Sequence, residues 1–390
     1  MSSNIIYLDN NATTCVAPEV FEAMTPYLTE FYGNPSSIHR FGGQLAAKVE
    51  EARAQLGALI GAQNSEIIFT SCGTESDTTA IRSALSICPK RRKVVISKVE
   101  HPAVLNLGKE LERNGYKVSI IPVDAKGRLD MDRAREMIDS ETAVVSVMWA
   151  NNETGNIQPV IELGELARKN GALFHTDAVQ AVGKVPMNLA ELPIDMLSLS
   201  GHKFHAPKGI GALYVKRGVR FHPYIIGGHQ EHGRRAGTEN LASIVGLGKA
   251  AELALANIGH ENTAVRALRD KLEQGVLASI PSVRINGDVE HRLPNTANIS
   301  FEYIEGESIL MLLDMHNICA SSGSACTTDS LEPSHVLRAM GVPYTAAHGS
   351  IRFSFSRYNT EAEVDRVLEV LPPVIARLRE ISPYWKQQQN

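Results

Sequence analysis

The chain has 390 residues, 43% of them hydrophobic and 21% charged, with a formal net charge of -4. That length can bury a large core in two lobes, and the composition is that of an ordinary soluble globular protein. The mild acidity excludes nucleic acid and an anionic membrane as main partners, no apolar run approaches a membrane span, and Met1 to Asp9 lack a signal peptide's basic and apolar regions, so a cytoplasmic setting is expected.

Tyr7-Leu-Asp-Asn-Asn-Ala-Thr-Thr14 reads as an Asx-type turn ahead of a helix starting near Pro18. Helical periodicity follows from Gln44 to Ile60, and Glu66 to Thr70 is a short strand. Ser71-Cys-Gly-Thr-Glu-Ser-Asp77 then opens a helix to about Leu85; its free N–H groups suit a phosphate, although simple capping fits the same letters. Strand and helix keep alternating. Strands are expected at Lys93–Ser97, Val118–Val123, Ala143–Trp149, Ala172–Asp177 and Ile194–Leu197, and a glycine turn after Pro207 feeds another that ends at Val215. Helices are expected after His101-Pro102 to about Asn114, at Met131–Ile138 and at Glu162–Lys169. This alternation predicts an α/β fold with a mostly parallel sheet covered by helices on both faces, and ligands beyond the strands' carboxyl ends. From about Leu241 to Leu277 the chain reads as helical. Strands at Val283–Ile285, Thr296–Phe301 and Ser350–Ser356, with helices near Glu307–Leu313 and to about Arg379, form a smaller α+β lobe.

His101, Asn152, Asp177 and Lys203 all fall on the rim expected to bind ligands. Lys203, at a strand end beside Ser200, His202 and glycines, suits a Schiff base to an aldehyde cofactor; a solvated turn lysine fits the same residues. Asp177 at a strand end can keep a pyridine nitrogen protonated, with Gln180 within reach of a ring hydroxyl, or it can cap the next helix. His101 can lie on a ring and move protons, or cap its own helix. Five scattered cysteines without a CxxC imply reduced thiols. Among them Cys326, in Ala320-Ser-Ser-Gly-Ser-Ala-Cys-Thr-Thr-Asp-Ser330, has only small polar neighbours and reads as exposed on a mobile loop, whereas Cys319 reads as packing. His229/His232 and His202/His205 lack further ligands for a zinc site, and Gly209-Ile-Gly211 lacks the third glycine of a dinucleotide fingerprint.

Taken together, Leu8 to Thr14, Gly33-Asn-Pro-Ser-Ser37, Gly73-Thr-Glu-Ser76, Glu100-His101, Asn151-Asn-Glu153, His175 to Gln180, Ser200-Gly-His-Lys203, Arg235-Ala-Gly-Thr238 and Ser322 to Cys326 resemble the cysteine desulfurases of the aminotransferase class V group, fold type I. Val147 to Asn152 and Pro343 to His348 resemble the nitrogen-fixation type in particular.

The resemblance implies a homodimer with pyridoxal phosphate on Lys203. It assigns the phosphate to Gly73, Thr74, Ser200 and His202, with Thr238 coming from the other subunit. The ring falls to Asn152, Asp177 and Gln180, under a stacked His101, and the substrate carboxylate to Arg352. The implied reaction takes sulfur from L-cysteine, leaves L-alanine and carries the sulfur as a persulfide on Cys326 to an acceptor scaffold protein of iron–sulfur cluster assembly. The persulfide on Cys326 is a transient cluster ligand in this reading. The implied lobes are 16–258, and 1–15 with 259–390. Thr328-Asp329 stands where the family pattern has Ser-Gly. Selenocysteine lyase shares the scaffold and stays open as an alternative, while a kynureninase or aminotransferase has no use for Cys326. A non-catalytic sulfur-carrier scaffold has no use for Lys203 with Asp177.

Overall fold

The computed structural model describes residues 5–322 and 333–388. Cys326, the Thr328-Asp329 departure and most of the predicted 320–330 loop lie outside the described residues.

The strands are β1 (Ile6–Tyr7), β2 (Ile67–Thr70), β3 (Lys93–Ser97), β4 (Lys117–Ile121), β5 (Thr142–Ser146), β6 (Leu173–Asp177), β7 (Met196–Ser200), β8 (Gly211–Val215), β9 (Val283–Ile285), β10 (Thr296–Phe301), β11 (Ile318–Cys319) and β12 (Ser350–Ser354). Seven of them form the main sheet, in the order β2-β8-β7-β6-β5-β3-β4. The five strands β4, β3, β5, β6 and β7 run parallel, while β8 is antiparallel to both β7 and β2. The mostly parallel α/β fold expected from the alternation is therefore present. Both faces of the sheet are covered, so β2, β3, β5, β7 and β8 are buried at every position, the edge strand β2 included. One apolar cluster lies under the helices Ala46–Ile60, Val160–Lys169 and Leu241–His260, and another under Gly73–Ile87 and Pro102–Arg113.

Two strand boundaries differ from the sequence reading in ways that matter for the site. β5 stops at Ser146 rather than Trp149, and the chain leaves the sheet to form the Asn151-Asn-Glu153 turn. β7 runs on to Ser200, because polar Ser198 finds a buried partner in His175, 2.9 Å away. Lys203 thus ends a single turn of 3₁₀ helix, Gly201–Lys203, directly off the strand.

The helical stretch Leu241–Ser279 is continuous through a π turn at Glu261–Val265 and is long and apolar enough, by length and composition, to cross a bilayer. Lys249 and Glu252 interrupt its apolar residues, so no uninterrupted apolar run in it reaches that length. Its most apolar window is 56% buried inside the protein, packed on the helix Ala46–Ile60. Gly248 allows that crossing: a Cβ there would stand 2.7 Å from the Ala52 Cβ.

A three-stranded antiparallel sheet, β12-β10-β9, packs with the helices Arg266–Ser279, Gly306–Asp314 and Glu361–Ile381 around Phe301, Phe353 and Leu371. The start of the chain belongs to this cluster: Leu8 is fully buried in it, and β1 pairs in parallel with β11. From there the chain passes Asn10 and Asn11 and reaches the main sheet.

Candidate active site

A cavity of about 270 Å³ lies beyond the carboxyl ends of β6 and β7, with β12 on its other side. It brings together Gly73, Thr74, His101, Asn152, Asp177, Gln180, Ser200, His202, Lys203 and Arg352. Thr238 is exposed and is not among the cavity's lining residues.

Each wall follows from a strand end. After β2, the helix Gly73–Ile87 opens without a side-chain cap on its first turn, which leaves backbone N–H groups for an anion. Gly73 has to be small there, since a Cβ would come within 2.7 Å of the Val179 side chain. At the end of β6, Asp177 accepts the Val179 N–H at 2.9 Å, and Gln180 follows on the next turn. Lys203 Nζ donates to the carbonyls of Asn11 at 2.6 Å and Ala12 at 2.8 Å, and Gln180 Nε2 donates to the same Asn11 carbonyl at 2.9 Å. His202 Nδ1 lies 3.1 Å from Thr13 Oγ1. Burial, reinforced by Lys203, pulls the His202 imidazole down to about 4 and keeps it neutral.

Arg352 spans the gap between the sheets. From β12 its guanidinium donates to the Asn152 carbonyl at 2.8 Å and to Asp9 at 2.7 Å. Its side chain is only 3% exposed, and its Nε is buried without a hydrogen-bond partner among the described residues.

At the cavity floor carboxyl groups crowd together, Asp177 and Asp77 in the lining and Glu100 behind it. Asp177, Asp77 and Glu100 are all buried. Burial pushes Asp177 up, opposed by His101, the Val179 N–H and Lys203. Asp77 is raised well above the usual carboxylate range by burial and then by Asp177. Glu100, although it accepts hydrogen bonds from Ser97 and the Met148 N–H, is pushed up to about 8, chiefly by burial. His175 is held between Ser146 at 2.8 Å and Ser198 at 2.9 Å, and burial drives it down to about 3. It is neutral, so its 3.7 Å approach to Asp77 is not an ion pair.

Three lining residues escaped sequence reasoning. Asn11 acts through its backbone carbonyl, which leaves no side-chain signature. Asp77 falls in register with Ala80 and Ala84 on the buried stripe of its helix, and a carboxylate at core spacing was the available signal. His335 follows the N-cap Ser334 of the helix His335–Ala339; a capping serine next to the family's cysteine loop could have pointed to it.

The model of the family described as aminotransferase class-V matches residues 6–367. A protein of Azotobacter vinelandii named cysteine desulfurase NifS is 61% identical over 381 residues, covering 97% of this chain and 95% of that protein. A solved structure titled NifS-like protein superposes with a TM-score of 0.90 at 38% identity, covering 96% of this chain and all of the other. Another, titled SspA in complex with cysteine, has a TM-score of 0.81 at 34% identity and covers 91% of this chain and 100% of its own.

The chain belongs to the class-V aminotransferase family, among its cysteine desulfurases.

Enzymes of this family depend on pyridoxal phosphate. The cavity's chemistry fits that cofactor. A lysine amine stands at one end, and an uncapped helix start with Thr74, Ser200 and a neutral His202 forms an anion cradle. Asp177 is a carboxyl whose charged form, disfavoured by burial, would be restored by a protonated ring nitrogen. Gln180 Oε1 is buried without a hydrogen-bond partner among the described residues, as a side chain awaiting a ring substituent would be.

Proposed function

We propose that this chain works as a homodimer in the cytoplasm with pyridoxal phosphate on Lys203. It removes sulfur from L-cysteine, releases L-alanine, and passes the sulfur through Cys326 to a scaffold protein of iron–sulfur cluster assembly, with nitrogenase the favoured destination. The observation that carries this reading is the convergence of Lys203, Asp177 and Arg352 on one cavity. An amine, a buried carboxyl and a guanidinium at these three points match the aldehyde, ring nitrogen and amino-acid carboxylate that must meet there.

When bound, the cofactor would supply an electron sink for the pair left at the substrate Cα. The chain's own residues do the rest. Gly73, Thr74, Ser200 and His202 hold the phosphate, and Asn152, Asp177 and Gln180 hold the ring beneath His101. Lys203 Nζ carries the cofactor and moves the proton at Cα. Arg352 binds the substrate carboxylate with the N–H groups that Asn152 and Asp9 leave unused. Cys326 attacks the substrate sulfur: its Sγ–S bond forms, the Cβ–S bond breaks with its electron pair staying on carbon, and a proton completes L-alanine.

Thr238 reaches the phosphate of the partner subunit in this reading, and its exposure away from its own cavity supports that role. The free thiols of Cys15, Cys72, Cys88 and Cys319 suit a reducing compartment. Separate apolar clusters support a division into 16–258 and 1–15 with 259–390.

The test is brief exposure of the cofactor-loaded protein to L-cysteine, followed by amino-acid analysis and peptide mass spectrometry. L-Alanine should appear, with one added sulfur on the peptide carrying Cys326. Cys326→Ala should keep the cofactor absorbance and its change on adding substrate, yet carry no sulfur. Added sulfur on Cys319 or any other cysteine, or no L-alanine, overturns the reading.

A further inference from the structure

His335 lines the same cavity as Arg352, Asn152 and His101, yet the reading above gives it no task. Its position is fixed from both sides. Ser334 Oγ donates to the buried Glu153 carboxylate and accepts the N–H groups of Val336 at 3.1 Å and Leu337 at 3.2 Å. The start of the helix His335–Ala339 is thereby pinned to the Asn151-Asn-Glu153 turn. His335 Nε2 lies 3.0 Å from the backbone carbonyl of Glu100. A carbonyl can only accept, so Nε2 carries the proton and the lone pair of the neutral ring is on Nδ1. Nδ1 has no hydrogen-bond partner among the described residues.

His101 is wired the opposite way. Its Nδ1 accepts the Ala103 N–H at 3.2 Å, so its lone pair is spent on the helix cap and Nε2 carries the proton. Burial lowers its affinity for a second proton. In this geometry Nε2–H of His101 is a hydrogen-bond donor toward the cavity while its Nδ1 lone pair is occupied by the cap. The two imidazoles therefore differ in which lone pair is spoken for: that of His101 is spent on its helix, and that of His335 is not met by any described residue.

An amino acid arrives near neutral pH as an ammonium, whose nitrogen has no lone pair to offer a carbonyl. The ammonium and carboxylate share Cα, so a carboxylate on Arg352 brings the nitrogen to that end of the cavity. Arg352 and His335 both lie close enough to Glu153 to act on its carboxyl. We infer that His335 Nδ1 is the base that takes a proton from the α-ammonium of the docked substrate. This rests on the proposed desulfurase reading. One substrate N–H bond breaks, an Nδ1–H bond forms, the nitrogen keeps its electron pair, and the new positive charge faces Glu153, whose carboxyl is pushed up by burial and drawn back down by His335, Ser334 and Arg352. The ionisable groups facing His335 are Glu153 and Arg352 on one side and His101 on the other; the Glu100 side chain turns away to Ser97 and Met148.

The experiment uses the full-length, cofactor-loaded protein and follows the cofactor absorbance after rapid mixing with L-alanine, across pH. L-Alanine has the same ammonium but no sulfur, so this readout survives even if the desulfurase reading fails in its own test. His335→Gln retains a donor for the Glu100 carbonyl, and His335→Ala removes the ring. Both should slow the absorbance change about a hundredfold near neutral pH, the lower end of what general-base catalysis supplies. The deficit should shrink as pH rises toward titration of the free ammonium, and added imidazole should restore part of the His335→Ala rate. Nitrogen-15 NMR of the unloaded wild type should show His335 protonated on Nε2. A loss that is the same at every pH, no loss at all, or the opposite tautomer overturns the inference.

Discussion

Glu100 stands next to His101 in the chain, but its carboxyl points into the core, where Ser97 and the Met148 N–H meet it. Held at about 8 when folded, against an ordinary value near 4.5, it keeps its proton in the native state over pH values where the unfolded chain has lost it. Its contribution is therefore complete below the unfolded value and is lost as pH rises through the folded one. Glu100→Gln, which mimics the protonated acid, should match wild type near pH 4.5 and grow relatively more stable toward pH 8. The slope should be at most about 1.4 kcal/mol per pH unit. Urea unfolding at a series of pH values checks this; a constant difference would mean that Glu100 is ionised in the folded protein. At this scale the sequence made placement legible: strand ends carry Lys203 and Asp177 to one rim, although the letters alone fitted a turn lysine and a helix cap as well, and Asp177 does accept the Val179 N–H. Asn11 was not legible, because a main-chain carbonyl looks the same at every position.

A buried ion pair helps secure the loop that carries Thr238, alongside the Arg235–Glu75 pair at 2.9 Å. Arg53, from the helix Ala46–Ile60, meets Glu231 through both terminal nitrogens at 2.8 and 2.9 Å, and Glu231 also accepts the Phe69 N–H of β2 at 2.9 Å. Both side chains of the pair are 4% exposed, and Glu231 and His232 adopt left-handed backbone angles, φ 49° and 56°. Such angles persist only where the surroundings impose them. Arg53→Leu would leave the buried Glu231 charge without its bidentate partner, with only the Phe69 N–H and the more distant Arg234 and Arg235 to offset it, at a cost of up to about 3–5 kcal/mol. Adding Glu231→Gln should recover part of that loss, measured as the coupling in a double-mutant cycle. Additive effects would show that the pair does not hold the loop. The strands themselves were readable as elements, because continuous buried runs such as Lys93–Ser97 have few other uses. Their directions were less so: Gly211–Val215 is apolar whichever way it points. Its antiparallel course follows from a connection from Ser200 of about ten residues, too short for a parallel crossover. The long helix Leu241–Ser279 was readable as helical from about Leu241 to Leu277; its apolar residues are interrupted, although their average over a longer window is high.

In the whole molecule the proposed dimer makes two incomplete surfaces into two sites. Mixing inactive Lys203→Ala with cofactor-poor Thr238→Ala subunits should give heterodimers with one intact site and restore up to about half the wild-type activity per heterodimer. Heterodimers confirmed by native mass spectrometry but inactive would refute a shared site. Arg352, Asp9 and Asn11 also tie the ends of the chain together: Asp9 meets Arg352, and Asn11 meets Ser354. These contacts join residues separated by 343 positions. On a ribosome the first strand and the asparagines after it must therefore wait, solvated, until nearly the whole polypeptide has emerged. The seven-stranded sheet, complete by Val215, can be built long before. Closing so large a loop is the slowest kind of contact to form. A nascent or truncated chain would thus own a finished scaffold with an open wall, and would be unable to hold an amino acid until its last strand arrives.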